Sequence, residues 1–299
     1  MNKLTIEACP LCGGNHFRHF LDCTDHYATG ERFSLLECEE CGFRFTQGAP
    51  VEAEIGRYYD TPAYISHSDT HKGIVNTLYH HVRRYMLGRK ARLVRKALHR
   101  PTGRILDIGA GTGYFIHTMF EKGWDVEAVE KSAQARQFAL DHFHLLMKPD
   151  SELGDYKPKE FNVITLWHSM EHIEHLDELW ETLYRLLDDE GVLVVAVPNC
   201  GSYDAEKYGA HWAAYDVPRH LWHFTVSSMQ RFALKHRFIL EGHHPMPFDA
   251  FYISMMSERY RKHHFAFLRG LFWGAMAWMN ARTRRGRSSS IIYVFRKKL

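Results

Sequence analysis

Nowhere in its 299 residues does this chain run apolar for the roughly 20 positions that a membrane-spanning helix needs. Its first residues, MNKLTIEACP, lack the apolar core of about 7–15 residues and the small-residue cleavage site of a secretory leader. Cysteine is scarce, at six residues. The expectation is a cytoplasmic, reducing setting in which those thiols are metal ligands or stay free. Acid is missing locally: residues 72–104 hold ten Lys/Arg and no Asp/Glu, and residues 250–299 hold eleven against the single Glu258. Residues 1–60 reverse this, with five basic residues against ten acidic, so the net charge of +3 conceals an asymmetry. Basic blocks of this kind are solvated faces, or they meet phosphate, nucleic acid or anionic lipid. Hydrophobic residues at 45% and charged residues at 24% suffice for an ordinary globular core.

Four cysteines form two knuckles, CPLCGG at 9–14 and CEECGF at 38–43. Cys9, Cys12, Cys38 and Cys41 offer four soft thiolates to one ion, and a glycine after each pair relieves the tight turn. Such a set predicts a closed tetrahedral Zn site with no open position for chemistry. Two redox pairs are the alternative, which a reducing compartment disfavours. Cys23 and Cys200 remain as buried thiols. Residues 1–60 resemble a zinc ribbon, too small to fold on its own core, so the metal supplies much of its folding energy. Residues 61–100 read as a linker and a helix. YYDTPAY at 58–64 suggests an ordered crossing, and from Gly73 to His99 apolar residues recur every three or four positions, with a break expected near Gly88.

ILDIGAGTGYF at 105–115 places an apolar run without alternation before glycines at 109, 111 and 113. That predicts a buried parallel strand at 104–108, a turn that a ligand approaches closely, and a helix from Tyr114. WDVEAVE then gives a second strand ending on Glu130, 21 residues after Gly109, near the offset at which a carboxylate accepts ribose hydroxyls. The helix N-terminus offers N–H groups to an anion. A dinucleotide fingerprint needs glycine at 114, where Tyr114 stands.

LDIGAGTGYF resembles motif I of the class I S-adenosylmethionine-dependent methyltransferases, and the likeness continues through VEAVEKS, FNVITLWHSMEHI and LLDDEGVLVVAVPN. The resemblance implies an α/β, Rossmann-like, seven-stranded sheet within 101–299. Its strands fall at 104–108, 126–130, 144–147, 161–166, 191–197, 237–243 and 290–297, the last antiparallel, with a helical insertion at 244–289. It implies S-adenosyl-L-methionine as cofactor, with Asp107, Gly109, Gly111 and Gly113 around the methionine part and Glu130 on the ribose. Asp150 falls near the adenine amino group, and Trp167 lines the adenine or acceptor pocket.

Methyl transfer from a sulfonium is an in-line displacement, and a hydroxyl acceptor must also lose its proton. Histidine suits that task. Glu171-His172 resembles the Glu-His pair of the ubiquinone-biosynthesis O-methyltransferases, where an acid three residues earlier helps hold a divalent metal; here His168 stands there. PRHLWHFT at 218–225 resembles a group of bacterial small-molecule methyltransferases that carry zinc-ribbon N-termini. His172 and His220 are therefore the candidate bases, and Arg219 is placed to neutralise an anionic acceptor. Trp212, Tyr215 and Asp216 would contact a sugar or aromatic acceptor. The plainer alternative is a packed loop whose Thr225 caps the next helix.

The expected activity is transfer to oxygen of a small-molecule, sugar or lipid-linked acceptor, with ribosomal RNA methylation and sugar C-methylation as alternatives. The acidic ribbon and a pI of 8.4, below the usual nucleic-acid footprint of about 9, argue against nucleic acid. Within the insertion, FAFLRGLFWGAMAWM at 265–279 has basic flanks at 259–264 and 282–287. It reads as a lid over the acceptor, as a peripheral membrane contact through 259–287, or as a plain packing or dimer helix.

Overall fold

Residues 2–59 and 74–298 are described by the structure, a computed structural model; positions 60–64 of the expected crossing lie outside them. Near the N-terminus β1 (Lys3–Leu4) pairs antiparallel with β5 (Ala49–Pro50). Between them β2 (Phe17–Thr24), β3 (Arg32–Cys38) and β4 (Arg44–Gln47) form an antiparallel meander. Helix α1 (Ile74–Leu98) then runs without a break. Gly88 does not interrupt it: nothing lies within 4 Å of where its Cβ would be, and one glycine costs a helix only about 1 kcal/mol. Buried Ala91, Val94 and Leu98 seat the helix.

The main sheet starts with β6 (Arg104–Ile108), followed by α2 (Tyr114–Phe120), β7 (Asp125–Val129), α3 (Ala133–Phe143), β8 (Phe161–Trp167), α4 (Leu176–Leu186) and β9 (Leu187–Pro198). After α5 (Tyr203–Tyr208), β10 (Trp222–His223) and α6 (Val226–Lys235) come β11 (Phe238–Pro245), α7 (Asp249–Tyr260), α8 (Ala266–Thr283) and β12 (Ser290–Lys297). The sheet order is β11-β12-β9-β8-β6-β7, with β6 to β9 parallel and β12 antiparallel to both neighbours. Six strands stand where seven were expected. Residues 144–147 form no strand, and only one parallel bridge, Val129 with Lys148, follows. His144 closes α3 in the left-handed region (φ 54°), and Pro149 has no N–H to extend the pairing.

Alternation assigns the two faces. Leu193, Val195 and Val197 of β9 join Leu106 and Ile164 beneath α4 and α6. Val192, Val194 and Ala196 join Ile105 and Val163 beneath α1, α2 and α3. Helix α4 places Leu176, Leu179, Trp180, Leu183 and Leu186 on one buried stripe. Thr225 opens α6 by accepting the Ser228 N–H, with Ser228 returning a bond to the Thr225 N–H.

Two long-range features place the site. Strand β10 pairs with β4, Trp222 opposite Phe45, so the N-terminal sheet takes its fourth strand from residues 222–223. The insertion is a helical hairpin rather than one helix. Gly270 and Gly274 of α8 let it lie directly on α7, where any Cβ would come within 2.4 Å and 2.7 Å of the Cα atoms of Met255 and Phe251. No helix among the described residues is long and apolar enough to cross a membrane.

Candidate active site and cysteine cluster

The glycine turn sits where β6 meets α2, at the carboxyl end of the sheet. Gly109, Gly111 and Gly113 all have positive φ, at 72°, 54° and 83°. Their surroundings differ. A Cβ on Gly109 would meet Ser169 Cβ at 2.5 Å, and one on Gly113 would meet Ala139 Cβ at 3.1 Å, whereas nothing lies within 4 Å at Gly111. Gly109 and Gly113 thus make room for protein, and Gly111 faces open space. Glu130 lies one residue beyond β7 and accepts the Gly111 N–H at 2.8 Å and the Ser132 N–H at 2.9 Å. Its carboxylate retains lone pairs for further donors.

Asp107 is buried and accepts the Thr165 hydroxyl at 2.5 Å. Burial pushes its carboxyl up to about 7, against the pull of Thr165 and Lys90. Trp167 ends β8 edge-on to Phe115, with Lys90 Nζ 4.3 Å from its ring centroid, and its buried Nε1 has no hydrogen-bond partner. Asp150 is exposed at the start of a 3-10 turn and accepts the Ser151 N–H.

Beyond Trp167 the chain delivers Ser169, whose hydroxyl donates to the Ile108 carbonyl at 2.8 Å, and then Glu171 and His172. Residues 219–221 come to meet them, the Leu221 N–H donating to the Glu171 carbonyl at 2.8 Å. His172 Nδ1 lies 3.0 Å from the Arg219 carbonyl and 3.1 Å from the Tyr59 hydroxyl. His220 Nδ1 lies 2.9 Å from the Ala214 carbonyl. Since a carbonyl only accepts, each Nδ1 carries a hydrogen, which leaves Nε2 as the ring nitrogen able to accept a proton or bind an ion. Burial pushes His172 down to about 4, with His220 adding to the effect and Glu171 opposing it. Glu171 is fully buried and neither of its carboxylate oxygens accepts a hydrogen bond. His168 Nδ1 stands 3.5 Å from it and His168 Nε2 3.3 Å from Asp249 at the start of α7. Burial opposes charge on His168, yet the two carboxylates raise it to about 9.

The second sequence cluster divides. His220 joins the site, but Arg219 is unavailable to an acceptor. It is 3% exposed and donates to both Asp216 oxygens (3.0 and 2.5 Å), to Asp25 at 3.0 Å and to the Tyr58 carbonyl at 2.9 Å. Trp212 and Tyr215 are likewise core residues, Trp212 donating its indole N–H to Asp204 at 2.7 Å. Arg219 therefore ties the N-terminal sheet to the core. Sequence reasoning missed that tie because its partners lie up to 194 positions away.

The cysteine knuckles repeat one backbone pattern. The Gly13 N–H donates to the Cys9 carbonyl and the Gly42 N–H to the Cys38 carbonyl, with φ of 79° and 73° at the two glycines. Sγ atoms of Cys9 and Cys41, and of Cys12 and Cys38, lie 3.5 Å apart, and all four fall within 4.8 Å of one another. A tetrahedron with Zn–S of about 2.3 Å has edges of about 3.8 Å, so the set fits one ion, and the distances exclude S–S bonds.

The profile of the methyltransferase domain family matches residues 78–238, more than half of the chain. No curated protein matches by sequence. Among solved structures, the chain is similar to a candidate sarcosine dimethylglycine methyltransferase from Galdieria sulphuraria (13% identity, 72% of this chain and 84% of that one, TM-score 0.50). An S-adenosylmethionine-dependent methyltransferase from Archaeoglobus fulgidus follows, at 18% identity, 72% and 94% coverage and TM-score 0.49. A phosphoethanolamine N-methyltransferase from Haemonchus contortus shares 19% identity over 71% of this chain but only 53% of its own, at TM-score 0.48.

Proposed function

Since the chain belongs to the methyltransferase domain family and has the class I fold, we propose that it transfers the methyl of S-adenosylmethionine to an oxygen of a small or lipid-linked acceptor. The observation that carries this reading is the glycine turn: nothing lies within 4 Å of a Cβ placed on Gly111, Glu130 accepts the Gly111 N–H at 2.8 Å, and Ser169, just ahead of Glu171 and His172, donates to the Ile108 carbonyl beside the turn. Asp107 and the glycine turn would hold the methionine part and Glu130 the ribose, with Asp150 and Trp167 on the adenine side. In the transfer, the acceptor oxygen bonds to the methyl carbon as the carbon–sulfur bond breaks, and the hydroxyl proton leaves. A buried carboxylate grouped with two imidazoles, ligand atoms of all three within 4.8 Å of one another, supports activation of that hydroxyl, with an imidazole nitrogen to take the proton. The cysteine set holds Zn and takes no part in the transfer. Calorimetry with S-adenosylhomocysteine tests the cofactor half: Glu130→Ala should weaken binding by about 1–3 kcal/mol. Unchanged affinity would refute the ribose assignment.

One observation favours a lipid-linked acceptor. Helix α8 buries Gly270, Gly274, Ala277 and Ala281, and its other side exposes Phe267, Leu268, Leu271, Phe272 and Met279. Exposed Arg259, Lys262, Arg282 and Arg284 flank that side. An apolar strip with basic ends complements an anionic bilayer surface, and Asp249 on His168 joins the same hairpin to the site. Binding to anionic vesicles that weakens with salt and is lost in a Phe267→Ser/Phe272→Ser variant is expected. A salt-independent dimer with no vesicle binding would overturn it.

A further inference from the structure

Glu171 presents an unusual balance of charge. Its carboxyl is fully buried, without an accepted hydrogen bond on either oxygen. A buried anion in that condition calls for a cation. His168, at 3.5 Å, is shared with Asp249 and only grazes one oxygen. With each Nδ1 facing a backbone carbonyl, the Nε2 atoms of His172 and His220 are the ring nitrogens left to donate a lone pair to an ion.

We propose that Glu171, His172 and His220 bind a first-row divalent metal ion, a centre separate from the four-cysteine set. One ligand atom of each residue lies within 4.8 Å of the other two. An ion with bonds of about 2.0–2.2 Å accommodates ligand atoms up to just over 4 Å apart, so small side-chain adjustments close the site. The outer support is built. Each imidazole is anchored through Nδ1–H to a backbone carbonyl, Arg219 for His172 and Ala214 for His220, which is how metal-bound histidines are oriented. The carbonyl of His220 in turn accepts the Thr46 hydroxyl at 2.7 Å. Two imidazoles with one carboxylate suit Fe, Co, Ni or Zn rather than Mg or Ca, and leave coordination positions open. Within the transfer reading above, on which this role rests, the ion would supply Lewis acidity that eases loss of the acceptor hydroxyl's proton to water, while the oxygen bonds to the methyl carbon and the carbon–sulfur bond breaks. The Nε2 atoms then act through the ion instead of accepting the proton themselves.

The test is stoichiometry on the full chain. Wild type and Glu171→Gln are incubated with excess Zn²⁺, desalted and analysed for metal. Wild type should hold one ion more per chain than Glu171→Gln, and Cys38→Ser should lose a different single ion. Equal metal in wild type and Glu171→Gln overturns the proposal. Calorimetry with S-adenosylhomocysteine on the same samples shows that the variant is folded and separates the two readings. A protein that binds the nucleoside but lacks the extra ion refutes only the metal centre. One with the extra ion and no nucleoside binding refutes only the transferase reading. Should Glu171→Gln fail to fold, His220→Gln takes its place with the same expectation.

Discussion

Replacing Arg219 with Met removes the buried cation that joins the N-terminal sheet to the rest of the chain while roughly preserving volume. Four hydrogen bonds disappear: two to Asp216, one to Asp25 and one to the Tyr58 carbonyl. The carbonyl loses this donor, at about 1–3 kcal/mol. Asp25 is not stranded, because the N–H groups of Tyr27, Ala28 and Thr29 and the Thr29 hydroxyl still donate to it at 2.8–3.1 Å. Asp216 is partly exposed and recovers some hydration. The loss therefore falls near the lower end of the roughly 3–5 kcal/mol typical of breaking a buried pair. Lysine should not rescue it, since one ammonium cannot reproduce the planar fork on Asp216. A pH signature accompanies the change. Burial pushes Asp216 up, but Arg219 pulls it further down, leaving it below the ordinary 3.8. The stability it contributes is present above that value and lost as pH falls through the lower folded one; without Arg219 the folded carboxyl moves back up, so this acid-side loss shrinks. Urea unfolding at neutral pH measures the magnitude, and limited proteolysis should show residues 2–59 released first. A destabilisation under about 1 kcal/mol, or full rescue by Lys, would refute the reasoning.

Asp107, raised to about 7 by burial, should make nucleoside binding pH-dependent: affinity for S-adenosylhomocysteine, whose methionine part carries an ammonium, rises from pH 6 to 8, and Asp107→Asn flattens the profile. A flat wild-type profile would separate Asp107 from the ligand. Gly109→Ala combines a left-handed backbone with a 2.5 Å approach to Ser169 Cβ, so it should cost about 1–3 kcal/mol of stability; Ser169→Gly should recover part of it in thermal unfolding. Cys38→Ser should abolish binding of the cysteine-held ion and lower the unfolding midpoint, and elemental analysis showing a full complement would contradict that site.

Much of the cofactor end was readable because its signals are local. Strand β6 lies at 104–108 as expected from Ile105, Leu106 and Ile108, and the three glycines form the turn that their spacing suggested, each with positive φ. The knuckles are equally local, each set by one Cys-x-x-Cys-Gly turn. What escaped was decided by partners far along the chain. Arg219 reads as an anion binder until Asp25 and Tyr58 surround it, and Trp212 and Tyr215 read as acceptor contacts until the core covers them. The convergence of Glu171 with His220 depends on a loop crossing that no periodicity encodes. The strand expected at 144–147 came from likeness, and the left-handed His144 and Pro149 prevent it here.

The pairing of β4 with β10 sets a schedule for biosynthesis. Phe45 must wait for Trp222, 177 residues later, before the edge of its sheet is covered. At about 5–20 residues per second, that interval lasts roughly 9–35 s, longer than most small domains need to fold. All four cysteine ligands have left the ribosome well before then, so an ion can clamp the knuckles while β4 still offers unpaired N–H and C=O groups to any passing strand. Such an open edge invites mispairing, and Arg44 at the start of the strand is the sort of charged residue that discourages it. The nascent chain is thus most exposed to mispairing while its four clustered cysteines are already made and its sheet is not.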